Sequence, residues 1–152
     1  MKSIDQPIVS AIIISRDGKV LMGQKPPHKA AVYPDCWHIP GGGVDPGEPY
    51  KAALRREILE ETGLDIDPYP TELVDDEGRG EGVRTLQNDE KVLAKMQFNV
   101  FRVEVNDKEA KDIITEEKDD LENITWFAVG DLTSVKLTPP SITLFRRLGY
   151  IK

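Results

Sequence analysis

The chain alternates between short, strongly apolar runs and polar breaks marked by glycine or proline. Ile8 to Ser15 reads Ile-Val-Ser-Ala-Ile-Ile-Ile-Ser, nearly continuous in hydrophobicity and rich in β-branched residues. Such a run predicts a strand buried on both faces. Asp17-Gly18 separates it from the apolar stretch Lys19 to Gly23, a strong hairpin signal. Lys25 to Asp35, with three prolines, reads as a loop, and Trp37-His38-Ile39 reads as a short strand ending at Pro40 and three glycines. Pro49 to Thr62 reads as a helix. Leu64 to Val74 is a strand candidate weakened by Pro68 and Pro70. Asp75 to Lys91 reads as a polar, glycine-punctuated loop, and Val92 to Val105 as the longest strand. Asn106 to Glu122 is acidic, a loop with a short helical turn; Ile124 to Val129 is a strand and Pro139 to Leu148 a terminal helix. With no repeat and no linker, residues 1–152 are expected to form a single domain. Strands outnumber helices in mixed order, which predicts an α/β fold with a mixed sheet flanked by helices.

The predicted helix is punctuated at both ends. Pro49 suits the first helical position, Glu48 the positive end of the dipole, and Gly63 the left-handed residue past the C-terminus. Leu54 and Ile58 form an apolar i, i+4 pair, broadened by Ala52, Ala53 and Leu59. The acids are less comfortable. Glu57, Glu60 and Glu61 stand at i, i+3 and i+4, on one side of the helix. Like charges at that spacing oppose each other by roughly 0.2–0.5 kcal/mol per pair. Two of them also lie in the last turn, where the dipole disfavours anions. Only Arg55 and Arg56 stand near enough to relieve them. Taken alone, E-x-x-E-E reads as a solvated acidic face. Its surroundings change that reading, because Gly41-Gly42-Gly43 leads directly into the same helix. A glycine turn lets backbone groups approach a metal or a phosphate, and a hard divalent cation removes the repulsion among carboxylates. Glu48 and Arg56 offer a loop-to-helix ion pair that would fix the geometry.

Composition narrows the partners. Of 152 residues, 39% are hydrophobic and 31% charged, an ordinary globular balance. The net charge is −7 and the pI about 4.9. That excess of acid argues against extended nucleic acid or an anionic membrane surface, but leaves room for a small phosphorylated substrate bridged by cations. No apolar run reaches the ~18 residues of a membrane span, and Met1 to Pro7 lacks a signal peptide's apolar stretch. The single cysteine, Cys36, cannot form an internal disulfide. The cytoplasm is the expected location.

The residues Gly42, Glu48, Arg56, Glu57, Ile58, Glu60, Glu61, Gly63 and Leu64 fill every specified position of G-x5-E-x7-R-E-U-x-E-E-x-G-U, with U aliphatic. From average residue usage, the seven non-aliphatic matches should arise together on the order of once in 10^8 windows. This pattern resembles the Nudix hydrolase signature. The Asp17-Gly18 hairpin, Trp37-x-x-Pro40-Gly-Gly and Trp126-Phe127 after an acidic loop are similar to the family's wider pattern. The resemblance implies an α/β/α sandwich with a mixed central β-sheet. It also implies magnesium- or manganese-dependent cleavage of a phosphoanhydride bond in a nucleoside triphosphate or another nucleoside diphosphate derivative. Carried over by position, Glu57, Glu60 and Glu61 would be metal ligands, one of them a base, and the Gly41 carbonyl a further ligand. Arg56 and Glu48 would hold loop and helix in register. A carboxylate from the loop Thr115 to Asp120 is expected to complete the site: Glu117 first, Glu116 second, with Asp120 also a candidate.

Two other functions fit the same residues. One is an isopentenyl-diphosphate isomerase, which needs a protonating cysteine; Cys36 lacks the surrounding motif. The other is a non-catalytic nucleotide-binding module, which would be marked by loss of the helix glutamates, and none is lost. Trp37, Trp126 and Phe127 read as core, Cys36 as inert, and His38 as either a structural or a substrate-facing residue. Tyr33 and Lys25 to His28 form a candidate rim for phosphate or base. Substrate choice is assigned to the loops at Lys25 to Asp35 and Asp75 to Lys91. Family hints for ADP-ribose or dinucleoside polyphosphates, a proline or tyrosine beyond the motif, are missing, because Gly78 to Gly82 occupy that stretch.

Overall fold

Two long parallel strands form the spine of the computed structural model, which describes residues 1–26, 33, 35–118 and 121–152. Strand β1 (Lys2–Ser15) pairs with β7 (Lys91–Val105) in unbroken parallel register from Lys2↔Val92 to Ser15↔Val105. The others are β2 (Lys19–Gln24), β3 (Trp37–His38), β4 (Gly41–Gly43), β5 (Thr71–Asp75), β6 (Arg79–Thr85) and β8 (Glu122–Ala128). Among the described residues these eight form one sheet in the order β3-β2-β1-β7-β5, with β4 beside β1, β6 beside β7 and β8 beside β2. Every pairing except β1–β7 is antiparallel, so the sheet is mixed.

Strand periodicity divides the core. Val9, Ala11 and Ile13 of β1, with Phe101, Val103 and Val105 of β7, meet Ala53, Leu54 and Ile58 of helix α1 (Tyr50–Thr62) on one face. Ile12 and Val100 point the other way, into a cluster with Leu144 and Phe145 of helix α2 (Pro139–Arg147). Successive side chains of a strand face opposite sides, so Ile8 to Ser15 must be apolar throughout to serve both layers. The result is the expected α/β/α sandwich. Trp126 packs against the α1 layer, while Phe127 and Trp37 pack against the α2 layer and meet edge to face, centroids 4.9 Å apart. Arg147 ties α2 back to the sheet through two 2.8 Å hydrogen bonds to Asp75.

Several boundaries differ from the sequence expectation, and β5 starts at Thr71 instead of Leu64, beyond Pro68 and Pro70. β1 begins at Lys2, not Ile8, because parallel pairing with β7 carries the polar residues along. Residues 79–85, expected as loop, form β6: its turn closes through Leu86 N–H to Glu90 C=O, and its backbone pairs with β7. Gly80 lies against the Phe98 ring, which covers the backbone that a glycine strand leaves bare. Pro49 is the cap residue of α1, not its first helical residue. Strand β8 runs from Glu122 to Ala128 instead of Ile124 to Val129, and residues 129–134 form a 3-10 turn.

Burial sets the mechanical role of the two faces of α1. Ile58 is fully buried, whereas Leu59 is 45% exposed. Ile58→Ala should therefore cost roughly 2–5 kcal/mol, and Leu59→Ala no more than about 0.5 kcal/mol. Urea-unfolding midpoints at constant slope provide the measurement.

Candidate active site

The three glycines do not form a free turn. They are strand β4, in antiparallel register Ile8↔Gly43, Val9↔Gly42 and Ser10↔Gly41. Ala11 N–H donates to Pro40 C=O and Val44 N–H to Pro7 C=O, each at 3.0 Å. In such a ladder, residues alternate between facing the partner and facing away. Gly41 and Gly43 therefore turn their backbone polar groups outward, and α1 meets them. Gly41 N–H donates to Glu61 Oε1 at 2.7 Å, and Gly43 C=O accepts from Arg56 Nη2 at 3.0 Å. Glycine is required here by close approach. A Cβ on Gly41 would strike the Val9 carbonyl and lie 2.6 Å from Ser10 Cα, and one on Gly42 would overlap the Glu57 carboxylate.

Arg56 is the electrostatic hub. Its Nε and Nη2 make a forked pair with Glu48, both at 2.9 Å, and its Nη1 donates to Glu57 Oε1 at 2.9 Å and to Glu60 Oε2 at 3.5 Å. Glu48 also accepts the Asp45 N–H at 3.1 Å. The Arg56 guanidinium, helped by that backbone donor, holds Glu48 well below the ordinary carboxylate range, to about 2. The same hydrogen bonds push Arg56 up. One arginine thus joins the glycine strand, the loop ahead of the helix and two of the three helix acids. Arg55 faces elsewhere, forked onto Asp65 at 2.9 Å.

The three glutamates are not equivalent. Glu61 has a side chain only 3% exposed, set between Gly41 N–H and Lys25, whose Nζ lies 3.7 Å from Glu61 Oε2. Glu57, 16% exposed, lies against Gly42. Glu60 is 58% exposed and touches the cluster through Arg56. The structure draws Glu57 and Glu61 to the glycine strand and leaves Glu60 at its rim; among the described residues no three His, Cys, Asp or Glu side chains stand together as a metal cage. The donors gathered here are carboxylate and carbonyl oxygens, the set a hard divalent cation takes.

The acidic loop reaches the same end of the helix. Glu116 N–H donates to Thr62 C=O at 2.7 Å, supplying a partner to a carbonyl of the last turn. Glu117 Oε1 accepts the Asn123 N–H at 2.7 Å. The Glu116 carboxylate lies 3.3 Å from Lys118 Nζ and is 69% exposed. Asp120 lies outside the described residues, as does most of the Lys25 to Asp35 loop, His28 included. Tyr33 is exposed. His38 is largely buried, and burial first, then the Lys25 charge, lowers it to about 4, so it is neutral near pH 7. Cys36 is buried. Among the contacts that escaped the sequence reading are Lys25 with Glu61 and Gln24 with Asn123, the latter at 2.8 Å. Both join residues far apart in the chain, for which no local pattern exists.

Known proteins resemble the chain in sequence and in fold. The family model described as NUDIX domain matches residues 5–148. The CTP pyrophosphohydrolase of Escherichia coli K12 is 42% identical over 65 residues, 43% of this chain and 44% of the relative. An RNA pyrophosphohydrolase of Caulobacter vibrioides is 42% identical over 59 residues, 39% of this chain and 33% of the relative. The chain thus spans between a third and a half of the length of these curated relatives. Among solved structures, a MutT protein from Methanosarcina mazei superposes with TM-score 0.64 at 19% identity, covering 98% of this chain and 96% of that one. A MutT NUDIX hydrolase from Burkholderia pseudomallei gives TM-score 0.56 at 25% identity over 95% and 98%. These two likenesses establish the fold. No helix among the described residues is long and apolar enough to cross a membrane.

The Glu48–Arg56 pair makes a pH prediction. A carboxylate whose folded pKa is depressed adds stability above its ordinary value, 4.5 here, and loses it as pH falls towards about 2. Between about pH 5 and pH 2, wild-type protein should lose more unfolding free energy than Glu48→Gln. Denaturant titrations at both pH values measure it, and equal losses would mean that the pair adds nothing.

Proposed function

The chain belongs to the NUDIX domain family, and on that premise we propose that it is a divalent-metal-dependent hydrolase of a phosphoanhydride bond in a small nucleotide derivative. The observation that carries the reading is the convergence of Glu57 and the buried Glu61 on the glycine strand, locked there by Arg56 and Gly41 N–H. A buried carboxylate is costly unless it is paired, and Glu61 with the half-buried Glu57 beside a backbone edge forms an oxygen-rich site with few other uses. The names of the relatives, RNA pyrophosphohydrolase and CTP pyrophosphohydrolase, agree on a pyrophosphate bond attached to a nucleotide.

In this reading Glu57, Glu60, Glu61 and the Gly41 carbonyl are the candidate ligands of magnesium or manganese, with Glu117 as a candidate from the loop. A bound cation would neutralise phosphate charge and acidify a nearby water. The protein's own groups do the rest. Arg56 fixes the pose of Glu57 and the helix, without touching substrate. One glutamate takes the proton of the water that attacks phosphorus as the bridging oxygen leaves with its phosphate. Lys25, already beside Glu61, supplies positive charge where phosphate oxygens would approach. Cys36 is buried, and no observation favours the isomerase alternative. The location is proposed to be the cytoplasm, and residues 1–152 to act as one domain.

A screen of nucleoside triphosphates and nucleoside diphosphate sugars with magnesium, both products identified by mass, tests the reading and names the substrate. Activity should vanish with a chelator and return with excess magnesium or manganese. Glu57→Gln and Glu61→Gln should each lower turnover by at least ~10^2-fold. Gly42→Ala should do so as well, because its methyl group displaces the Glu57 carboxylate. Near-normal turnover in all three would remove the assigned roles.

The loop acids are tested separately. Glu117→Gln keeps an oxygen that can accept the Asn123 N–H and removes only the charge. One of Glu116→Gln, Glu117→Gln and Asp120→Asn should lower kcat roughly tenfold with KM retained, the signature of an interaction made chiefly in the transition state. Wild-type kcat in all three would confine the base and the side-chain ligands to α1.

A further inference from the structure

Neighbouring residues at two element ends share their duties. At the C-terminus of α1, Glu61 meets Lys25, and the next residue, Thr62, accepts the Glu116 N–H. At the end of β2, Lys25 meets Glu61, and the preceding residue, Gln24, accepts from Asn123 Nδ2 at 2.8 Å. The segment that carries Glu116 and Glu117 is therefore tied down on both sides of the Glu61–Lys25 contact, at Glu116 on the helix and at Asn123 on the strand.

The strand tie is built with some insistence. Between Met22↔Thr125 and Gln24↔Glu122 the β2–β8 register shifts, so β8 carries one more residue than β2. Asn123 lies in this bulge with φ +56, a left-handed conformation that asparagine tolerates better than most residues. Bulges re-aim side chains, and this one sends the Asn123 amide onto Gln24 while its N–H is taken by Glu117 Oε1. Gly23 leaves the space that Leu121 fills, since a Cβ there would lie 2.5 Å from Leu121 Cγ, and Leu121 is fully buried. Gln24 Nε2 also donates to Asp35 C=O at 3.0 Å. Asp35 has φ +62 and opens the segment leading through Trp37 to the glycine strand. One amide side chain thus links the start of that segment to the acidic loop. Two left-handed residues held on a single half-buried glutamine are the kind of local strain that gathers at functional sites.

We infer that Gln24 and Asn123 are positioning residues: their paired amides hold the Glu116–Glu117 segment beside the Glu61–Lys25 contact, in the pose in which its acids serve the site. This rests on the hydrolase reading above, and its test separates the two. Steady-state kinetics on the substrate found in the nucleotide screen, with magnesium, would be compared for wild type, Gln24→Ala, Asn123→Ala, the double variant and Gln24→Glu. Amide hydrogen exchange would be followed by NMR on the same proteins without substrate. Each alanine variant should lower kcat about tenfold with KM within about twofold, and the double variant should lose no more than either single one. Gln24→Glu, which keeps the acceptor for Asn123 Nδ2, should stay within about threefold of wild type. Exchange at Glu116 N–H, bonded on the α1 side, should accelerate in Gln24→Ala while the amides of α1 keep their protection. Unchanged kcat, additive losses, or exchange altered at residue 123 but not at 116 would overturn the inference. An inactive wild type would refute the hydrolase reading instead, and the Glu116 exchange would then decide by itself whether the clamp exists.

Discussion

A carboxylate cannot be buried alone, and Glu61 is almost fully buried. Its oxygens are met by Gly41 N–H and Lys25 Nζ, so three distant segments must converge before the helix can dock: the end of β2, the glycine strand and the last turn of α1. The same docking edge carries Arg56 onto Gly43 C=O, Glu48 and Glu57. Much of what is specific about this end of the molecule follows. Gly42 must be glycine because the Glu57 carboxylate presses against it and Gly41 because β1 does, and the outward backbone edge of β4 meets α1 because β1 covers the other. A hydrophobic face brings α1 to the sheet; the polar edge decides where along the sheet it stops.

The parallel β1–β7 pair makes this precision possible. Its unbroken register spans fourteen residue pairs and buries apolar side chains on both faces, giving a stiff base for the loops at one end. The segment carrying Glu116 and Glu117 and the end of β2 hang from that base and meet at the helix terminus. Candidate chemical groups thus lie on rigid elements or are tied to them by short hydrogen bonds. Placement within a fraction of an ångström is what phosphoryl transfer asks of a protein, since positioning and charge do most of the work.

Charge compensation also resolves the apparent misfit of the helix. Glu57, Glu60 and Glu61 oppose one another and the dipole, yet in the fold Arg56 serves two of them and Lys25 the third. The relief is uneven, and the three acids also differ in exposure according to their place on the docked helix, which gives them different prospects as ligand or base. Glu61 is held most tightly, Glu57 is braced between Arg56 and Gly42, and Glu60 is the most exposed of the three.

Local rules gave up much of this from the chain alone. Apolar periodicity determined the two-faced strand at Ile8 to Ser15 and the buried side of α1; the spacing of Glu48, Arg56, Glu57, Glu60 and Glu61 located the candidate site. Those features repeat over one turn or one pleat, so a linear reading can detect them. What it missed depends on partners remote in sequence. Residues 79–85 look like loop because glycine and charge are poor strand formers, and only pairing with β7 and cover from Phe98 make them a strand. The polar start of β1 follows β7 for the same reason. Which glutamate is buried, that Lys25 meets it, and that Gln24 reaches Asn123 across ninety-nine positions were decided by tertiary structure, because a hydrogen bond between distant segments leaves no period in the sequence.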